Sequence, residues 1–242
     1  MKVPLRIATY NIHRAIGRDG REDHGRIAGV LGEISADIVA LQEVGFRPGE
    51  TGNTLHELAS RLEAGVIEGV TLQDERGHYG NALLTRLPAG RVRLHDLSVD
   101  GREPRGAIEL NCRINGVDLR LVATHLGLRP GERRYQVQRL LPVFEGGAER
   151  VDVLLGDLNE WFLYGRLLRR LHRLFGALPA PATFPAKWPV FALDRLWARP
   201  RSVVKSLQVH SSPLARVASD HLPLVAELEI GQPGIGTGQL TP

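Results

Sequence analysis

The chain has 242 residues, 43% hydrophobic and 24% charged, with a net charge of +4. That length can bury a sizeable core, and that balance is ordinary for a soluble globular protein, which argues against a disordered or fibrous chain. Cys112 is the only cysteine, which excludes an intrachain disulfide and a cysteine-built zinc cluster.

The N-terminal stretch MKVPLRIATYNIHR is short, alternating and without a small-residue cleavage site, so it does not read as a signal peptide. No apolar run approaches the ~20 residues that span a bilayer, and a cytoplasmic location is expected. LRIATYNI (5–12) reads as a first strand. Residues 23–35 read as a helix, because Ile27, Val30, Leu31 and Ile34 recur at helical spacing. DIVALQEV (37–44) is almost continuously apolar, as suits a strand buried on both faces. A helix at 53–62 and strands near 66–72, 79–85 and 91–99 follow. AIELNCRI and VDLRLVATHL are joined by Asn115-Gly116, a strong hairpin signal. Residues 131–145 read as a helix with Val137, Leu140, Leu141 and Phe144 on one face. VDVLLGD is another buried strand, a basic helix is expected over 160–175, and strands recur at 191–198, 202–209 and 223–230. Residues 1–230 read as a single unit; the uncharged Gly- and Pro-rich tail, 231–242, is expected to be flexible. Hairpins mixed with apolar strands and helices predict an α/β fold of two mixed sheets packed face to face, with helices on both outer sides.

Polar residues gather at the ends of these strands. The first ends in TYNIH, with Asn11 and His13; the second in LQEV, with Glu43. GNALLTR carries Asn81, EPRGAIE carries Arg105, and VATHLG carries His125. LLGDLNE supplies Asp157 and Asn159, FALDRLW buries Asp194, and ASDHLP offers Asp220 and His221. Singly, each has an ordinary explanation as a cap, a turn, an ion pair or a hydrogen-bonded core residue. Together they form the kind of set that rigid sheets present to a ligand at their edges. Carboxylate and amide oxygens suit a hard cation such as Mg²⁺, an arginine suits phosphate, and a histidine oriented by a buried carboxylate suits the activation of water.

TYNIH, LQEV, GNALLTR, THL, GDLNE, LDRLW and SDHLP, in that order over residues 5–230, resemble the endonuclease/exonuclease/phosphatase superfamily. The resemblance implies a deoxyribonuclease I-like, four-layered α/β/β/α sandwich that cleaves phosphoester bonds with Mg²⁺ or Mn²⁺. It implies Glu43 as the principal metal ligand, with Asn11 and Asp220 at the same centre. Asp157 and Asn159 would orient water and phosphate, and His221 would be the catalytic histidine with Asp194 as its buried partner. His125 would contact the phosphate or leaving group, and Asn81 and Arg105 the substrate. Glu160 has no such role and is expected at the surface. His13 stands where repair endonucleases of the family carry an acidic residue, which counts against an abasic-site enzyme. The substrate class stays open among nucleic acid, a phospholipid headgroup and a small phosphoester, as does a non-catalytic phosphate-binding module. A monomer is expected. Arg166, Arg169, Arg170 and Arg173 share one helical face, readable as a solvated face or as a peripheral contact with nucleic acid or an anionic membrane. Few exposed aromatic side chains are expected near it.

Overall fold

The structure, a computed structural model, describes residues 2–46, 54–74, 77–146, 150–163 and 165–231. The expected flexible tail therefore lies, but for Gly231, outside the described residues. The chain begins with β1 (Val3–Asn11), α1 (His24–Ile34), β2 (Ile38–Phe46), α2 (Thr54–Arg61), β3 (Gly65–Asp74) and β4 (Gly77–Thr85). It continues through β5 (Arg91–Asp96), β6 (Gly106–Ile114), β7 (Val117–His125), α3 (Pro130–Leu140) and β8 (Val151–Asp157). It closes with α4 (Arg166–Phe175), β9 (Asp194–Arg199), β10 (Val204–Val209), α5 (Ala215–Ala218) and β11 (Leu224–Ile230). No helix among the described residues is long and apolar enough to cross a membrane.

The strands form a six-stranded sheet, ordered β10-β11-β1-β2-β4-β3, and a five-stranded sheet, ordered β5-β6-β7-β8-β9. Each holds one parallel pair, β1/β2 and β7/β8, and is otherwise antiparallel. Three separate cores fix the layers. Between the sheets, Leu5, Ile7, Ile38 and Leu83 meet Leu110, Leu121, Val153 and Leu155. Outside the first sheet, Tyr10 and Leu41 lie under Ile27, Leu31 and Ile34 of α1 and Leu55 and Leu58 of α2. Outside the second, Val122, Leu154 and Trp197 lie under Val137 and Leu140 of α3 and Leu167, Leu168 and Leu171 of α4. The molecule is thus the expected α/β/β/α sandwich, each buried aliphatic side chain contributing roughly 1.5–3 kcal/mol.

Local chemistry explains most boundaries. Asp23 caps α1 by accepting from the Arg26 amide at 3.1 Å. Asn115 and Gly116 adopt φ of 50° and 78°, the two positive values a type I′ hairpin turn requires. The helix expected over 131–145 stops at Leu140 and tightens into a 3-10 turn, Leu141–Phe144, because Pro142 has no amide to continue the ladder. The basic helix expected over 160–175 begins only at Arg166. Ahead of it Glu160 is 5% exposed and pairs with Arg133 at 3.4 Å, which corrects the expectation that it lies at the surface.

Register carries the strand ends to one edge. Asn11 lies beside Gln42, and His125 beside Asp157, at the ends of the two parallel pairs. Asp157 also faces Asp194 at the start of β9, while Thr9 faces Leu224 and so brings the turn before β11 to the end of β1. Gly156 allows the last step: at its φ of 143°, a Cβ would lie 1.8 Å from the Thr124 carbonyl oxygen. Gly156→Ala should therefore cost about 3 kcal/mol or more, lowering the melting temperature by roughly 10 °C in calorimetry.

Candidate active site

Asn11, Glu43 and Asp157 come together at the junction of the two sheets. The Asn11 amide nitrogen donates to Glu43 Oε1 and to Asp157 Oδ2, both at 3.0 Å. Its own Oδ1 accepts from the His13 amide at 3.0 Å. Glu43 reaches this position through a bulge in β2, where pairing with β4 shifts between Leu41 and Val44. It sits at φ 57°, and Asn159 at φ 50°, left-handed conformations that cost of order 1 kcal/mol or more for side-chain-bearing residues and gather at functional sites.

A histidine–carboxylate pair lies beside them. His221 Nδ1 donates to Asp194 Oδ2 at 2.8 Å, and His221 Nε2 lies 3.8 Å from Asp157 Oδ2. Thr183 donates to the same Asp194 Oδ2 at 2.6 Å, so two donors fix a wholly buried carboxylate; its Oδ1 has no hydrogen-bond partner among the described residues. Ser219 ties the turn to β1 by donating to the Asn11 carbonyl at 2.8 Å, and accepts from the His221 amide at 3.3 Å. Asp220, half-buried, lies 3.8 Å from His13 Nδ1. Sequence reasoning missed Thr183 and Ser219. A threonine in ATFP carries no acid–base or ligand signal of its own, and only the fold brings Thr183 across to Asp194. Ser219 could have been found, since SD before a strand is a common turn.

The second histidine has different surroundings. The Arg105 guanidinium can only donate, and its Nη1 lies 3.1 Å from His125 Nδ1. His125 Nδ1 therefore accepts, and its Nε2 faces Asp157 Oδ2 at 3.5 Å. Asn159 donates to the Leu126 carbonyl at 2.9 Å, which sets its carboxamide 3.0 Å from the same Nε2. Asn81 donates to the Gly106 carbonyl at 3.3 Å, and together with Arg105 it lines a cavity of about 460 Å³.

The two histidines titrate in opposite directions. Burial pushes His125 down to about 3, with Arg105 helping and Asp157 opposing. Burial also works against the charged form of His221, yet the carboxylates of Asp194, Asp157 and Asp220 outweigh it and push the imidazole up to about 10. The folded state holds His125 neutral, so its contribution to stability is full above the ordinary value of about 6.5 and is lost as pH falls toward 3. His221 contributes in the other sense, fully below 6.5 and progressively less as pH rises toward 10. In EDTA, melting temperature should fall between pH 6.5 and 5, where few carboxylates titrate. A His125→Gln variant that folds should lose most of that fall.

The cluster carries an excess of negative charge. Asp157, Asp194 and Asp220 face His221, Glu43 meets Asp157 across the Asn11 amide, and their hard oxygens match the donor set of a small divalent cation. Asp157, Asp194 and His221 also offer ligand atoms within 4.8 Å of one another. Two hydrogen bonds already occupy Asp194 Oδ2, one of them from His221 itself, so these two residues fit an acid–base pair better than a shared metal.

Comparison with known proteins agrees with this geometry. Residues 8–221 match the model of the Endonuclease/Exonuclease/phosphatase family. The chain is 32% identical to the uncharacterized protein YbhP of Escherichia coli, over 93% of this chain and 96% of that one. It is similar to the crystal structure of an endonuclease/exonuclease/phosphatase from Beutenbergia cavernae, with 26% identity, a TM-score of 0.73, and coverage of 94% of this chain and 72% of that one. An endonuclease/exonuclease/phosphatase family protein from Leptotrichia buccalis, 16% identical, shares the fold with a TM-score of 0.76 over 93% of this chain and all of its own. With its four layers, its matched span and its cluster of carboxylates and histidines, the chain belongs to the endonuclease/exonuclease/phosphatase family, whose members are generally phosphoester-cleaving hydrolases that typically depend on a divalent metal ion.

Proposed function

We propose that this protein hydrolyses phosphoesters with Mg²⁺ or Mn²⁺ held by Glu43, Asn11 and Asp220. The observation that carries the reading is the His221–Asp194 bond of 2.8 Å, with the opposite ring nitrogen aimed at Asp157 and so into the acidic cluster. When bound, the cation supplies charge neutralisation as negative charge builds on the phosphate oxygens. Asp157 and Asn159 orient the attacking water, and with the carboxylates that hold His221 protonated offset by the bound cation, His221 Nε2 can take the water's proton. Asp194 fixes the tautomer and orientation of His221, and Thr183 fixes Asp194. Arg105 and His125, joined at 3.1 Å, contact the phosphate or leaving group from the other side. Asn81 and Arg105, on the wall of the adjoining cavity, hold the rest of the substrate.

A binding module without turnover is the weaker reading, because the chain keeps both Glu43 and His221, the residues whose loss would disable the chemistry. The test is a panel of plasmid DNA, RNA, phospholipids, inositol phosphates, nucleotides and p-nitrophenyl esters, each with Mg²⁺ or Mn²⁺. Turnover of at least one class is expected. Tight binding of a phosphorylated ligand with no turnover of any class would overturn the proposal.

A further inference from the structure

Two apolar loops flank the catalytic mouth. One runs through Trp161, Phe162 and Leu163. The other is a short hairpin in which Phe184 and Phe191 pair as an antiparallel bridge, and the Val190 and Phe191 amides both donate to the Phe184 carbonyl at 2.9 Å. Arg216 clamps its turn by donating to the Ala186 and Lys187 carbonyls at 3.4 and 3.2 Å. This frame holds Trp188 and Val190 outward at 72% and 67% exposure, and Phe162 and Leu163 stand out at 68% and 54%. Trp161 joins the loops, with its ring 4.8 Å from Phe191 and 5.9 Å from Phe184. The Phe184 ring in turn lies 4.8 Å from that of His221. An apolar rim therefore runs from the catalytic histidine to both loop tips, contrary to the expectation of few exposed aromatic side chains here. Single exposed apolar residues are normal, but a contiguous cluster marks an interaction site.

Positive charge lies beside the rim. Lys187 is exposed at the hairpin tip, and α4 starts directly after the 161–163 loop. Its Arg166, Arg169, Arg170 and Arg173 are exposed and, with Arg134, line a cavity of about 360 Å³. Among the described residues, neither Lys187 nor any of these five arginines has a carboxylate partner.

We propose that this surface docks on an anionic lipid bilayer. Phe162, Leu163, Trp188 and Val190 enter the headgroup region, Lys187 and the α4 arginines take lipid phosphates, and the site opens onto a lipid phosphoester. The docking stands on the surface alone; the lipid substrate rests on the hydrolase reading. A bilayer fits better than single-stranded nucleic acid, because two of the rim's four most exposed side chains, Leu163 and Val190, are aliphatic and offer no stacking face.

The test is co-sedimentation with phosphatidylcholine vesicles, with and without phosphatidylglycerol, alongside fluorescence binding to a single-stranded oligonucleotide. Wild-type protein should sediment with the anionic vesicles and release them as salt rises. Phe162→Ala/Trp188→Ala should weaken that binding by roughly tenfold or more, and Arg169→Glu/Arg170→Glu should abolish the preference for anionic lipid. Both variants should keep the wild-type melting temperature and the wild-type rate on soluble bis(p-nitrophenyl) phosphate. Failure of wild-type protein to bind anionic vesicles, or equal binding by folded variants, would overturn the proposal. So would oligonucleotide binding that falls in these variants while vesicle binding does not. Vesicle binding without turnover of the soluble ester would keep the docking surface and remove the hydrolase reading, and the lipid substrate with it.

Discussion

Asp194→Asn is expected to leave the protein folded and to lower kcat/KM by ~10²–10⁴-fold. The amide keeps the shape of the carboxylate and can still meet Thr183, but it removes the charge that holds the His221 imidazole in place and stabilises its protonated form. His221→Ala should lose at least as much. The double variant should lose almost nothing beyond His221→Ala, because groups that act as one unit are not additive. Independent, multiplying losses would show that the 2.8 Å bond is structural and that Asp194 does not act through His221. Circular dichroism on each variant separates lost chemistry from lost fold. Cation affinity should change little in Asp194→Asn, since Oδ2 is committed to Thr183 and His221.

Glu43→Gln is expected to do the reverse. Its half-buried carboxylate converges with that of Asp157 on the one Asn11 amide nitrogen, which leaves the two acids close together without a cation between them. Loss of the charge should weaken Mg²⁺ or Mn²⁺ binding by at least the ~10–100-fold that supporting partners of metal ligands are worth, and activity should fall with it. In EDTA the same variant should melt at or above the wild-type temperature, because like-charge repulsion is relieved. The bulged, left-handed backbone at Glu43 points the same way: it is a local cost borne for the position of the side chain. Isothermal titration with Mn²⁺ and calorimetry in EDTA measure both effects. Unchanged Mn²⁺ affinity together with a clear loss of stability would make Glu43 a structural residue.

Much of the architecture was legible because it follows from local rules. Ile27, Val30, Leu31 and Ile34 all bury on one face of α1 as their spacing requires. Asn115-Gly116 makes the hairpin it announces, and the near-continuous apolar runs of β2 and β8 are strands covered on both faces. The strand-end residues were legible as candidates because a carboxylate or amide after an apolar strand is costly unless it has a task. What joins them was not legible. Thr183 meets Asp194 only through the hairpin at 184–191, Arg105 reaches His125 only through the β6/β7 register, and Glu160 turns inward because Arg133 from α3 waits beneath it. The start of α4 was misplaced because 160–163 continue an apparently amphipathic pattern. The structure instead spends those residues on a buried ion pair and an exposed apolar loop.

The central claim is that the acidic cluster binds a divalent cation to enable phosphoester cleavage by His221. Its most direct test is the hydrolysis rate of bis(p-nitrophenyl) phosphate or p-nitrophenyl phosphate by metal-stripped protein as Mg²⁺ or Mn²⁺ is titrated in. No turnover is expected in EDTA, saturable turnover on adding the metal, and no metal-stimulated rate in His221→Ala. Turnover that survives EDTA, or a metal-stimulated rate equal in wild type and His221→Ala, would contradict it.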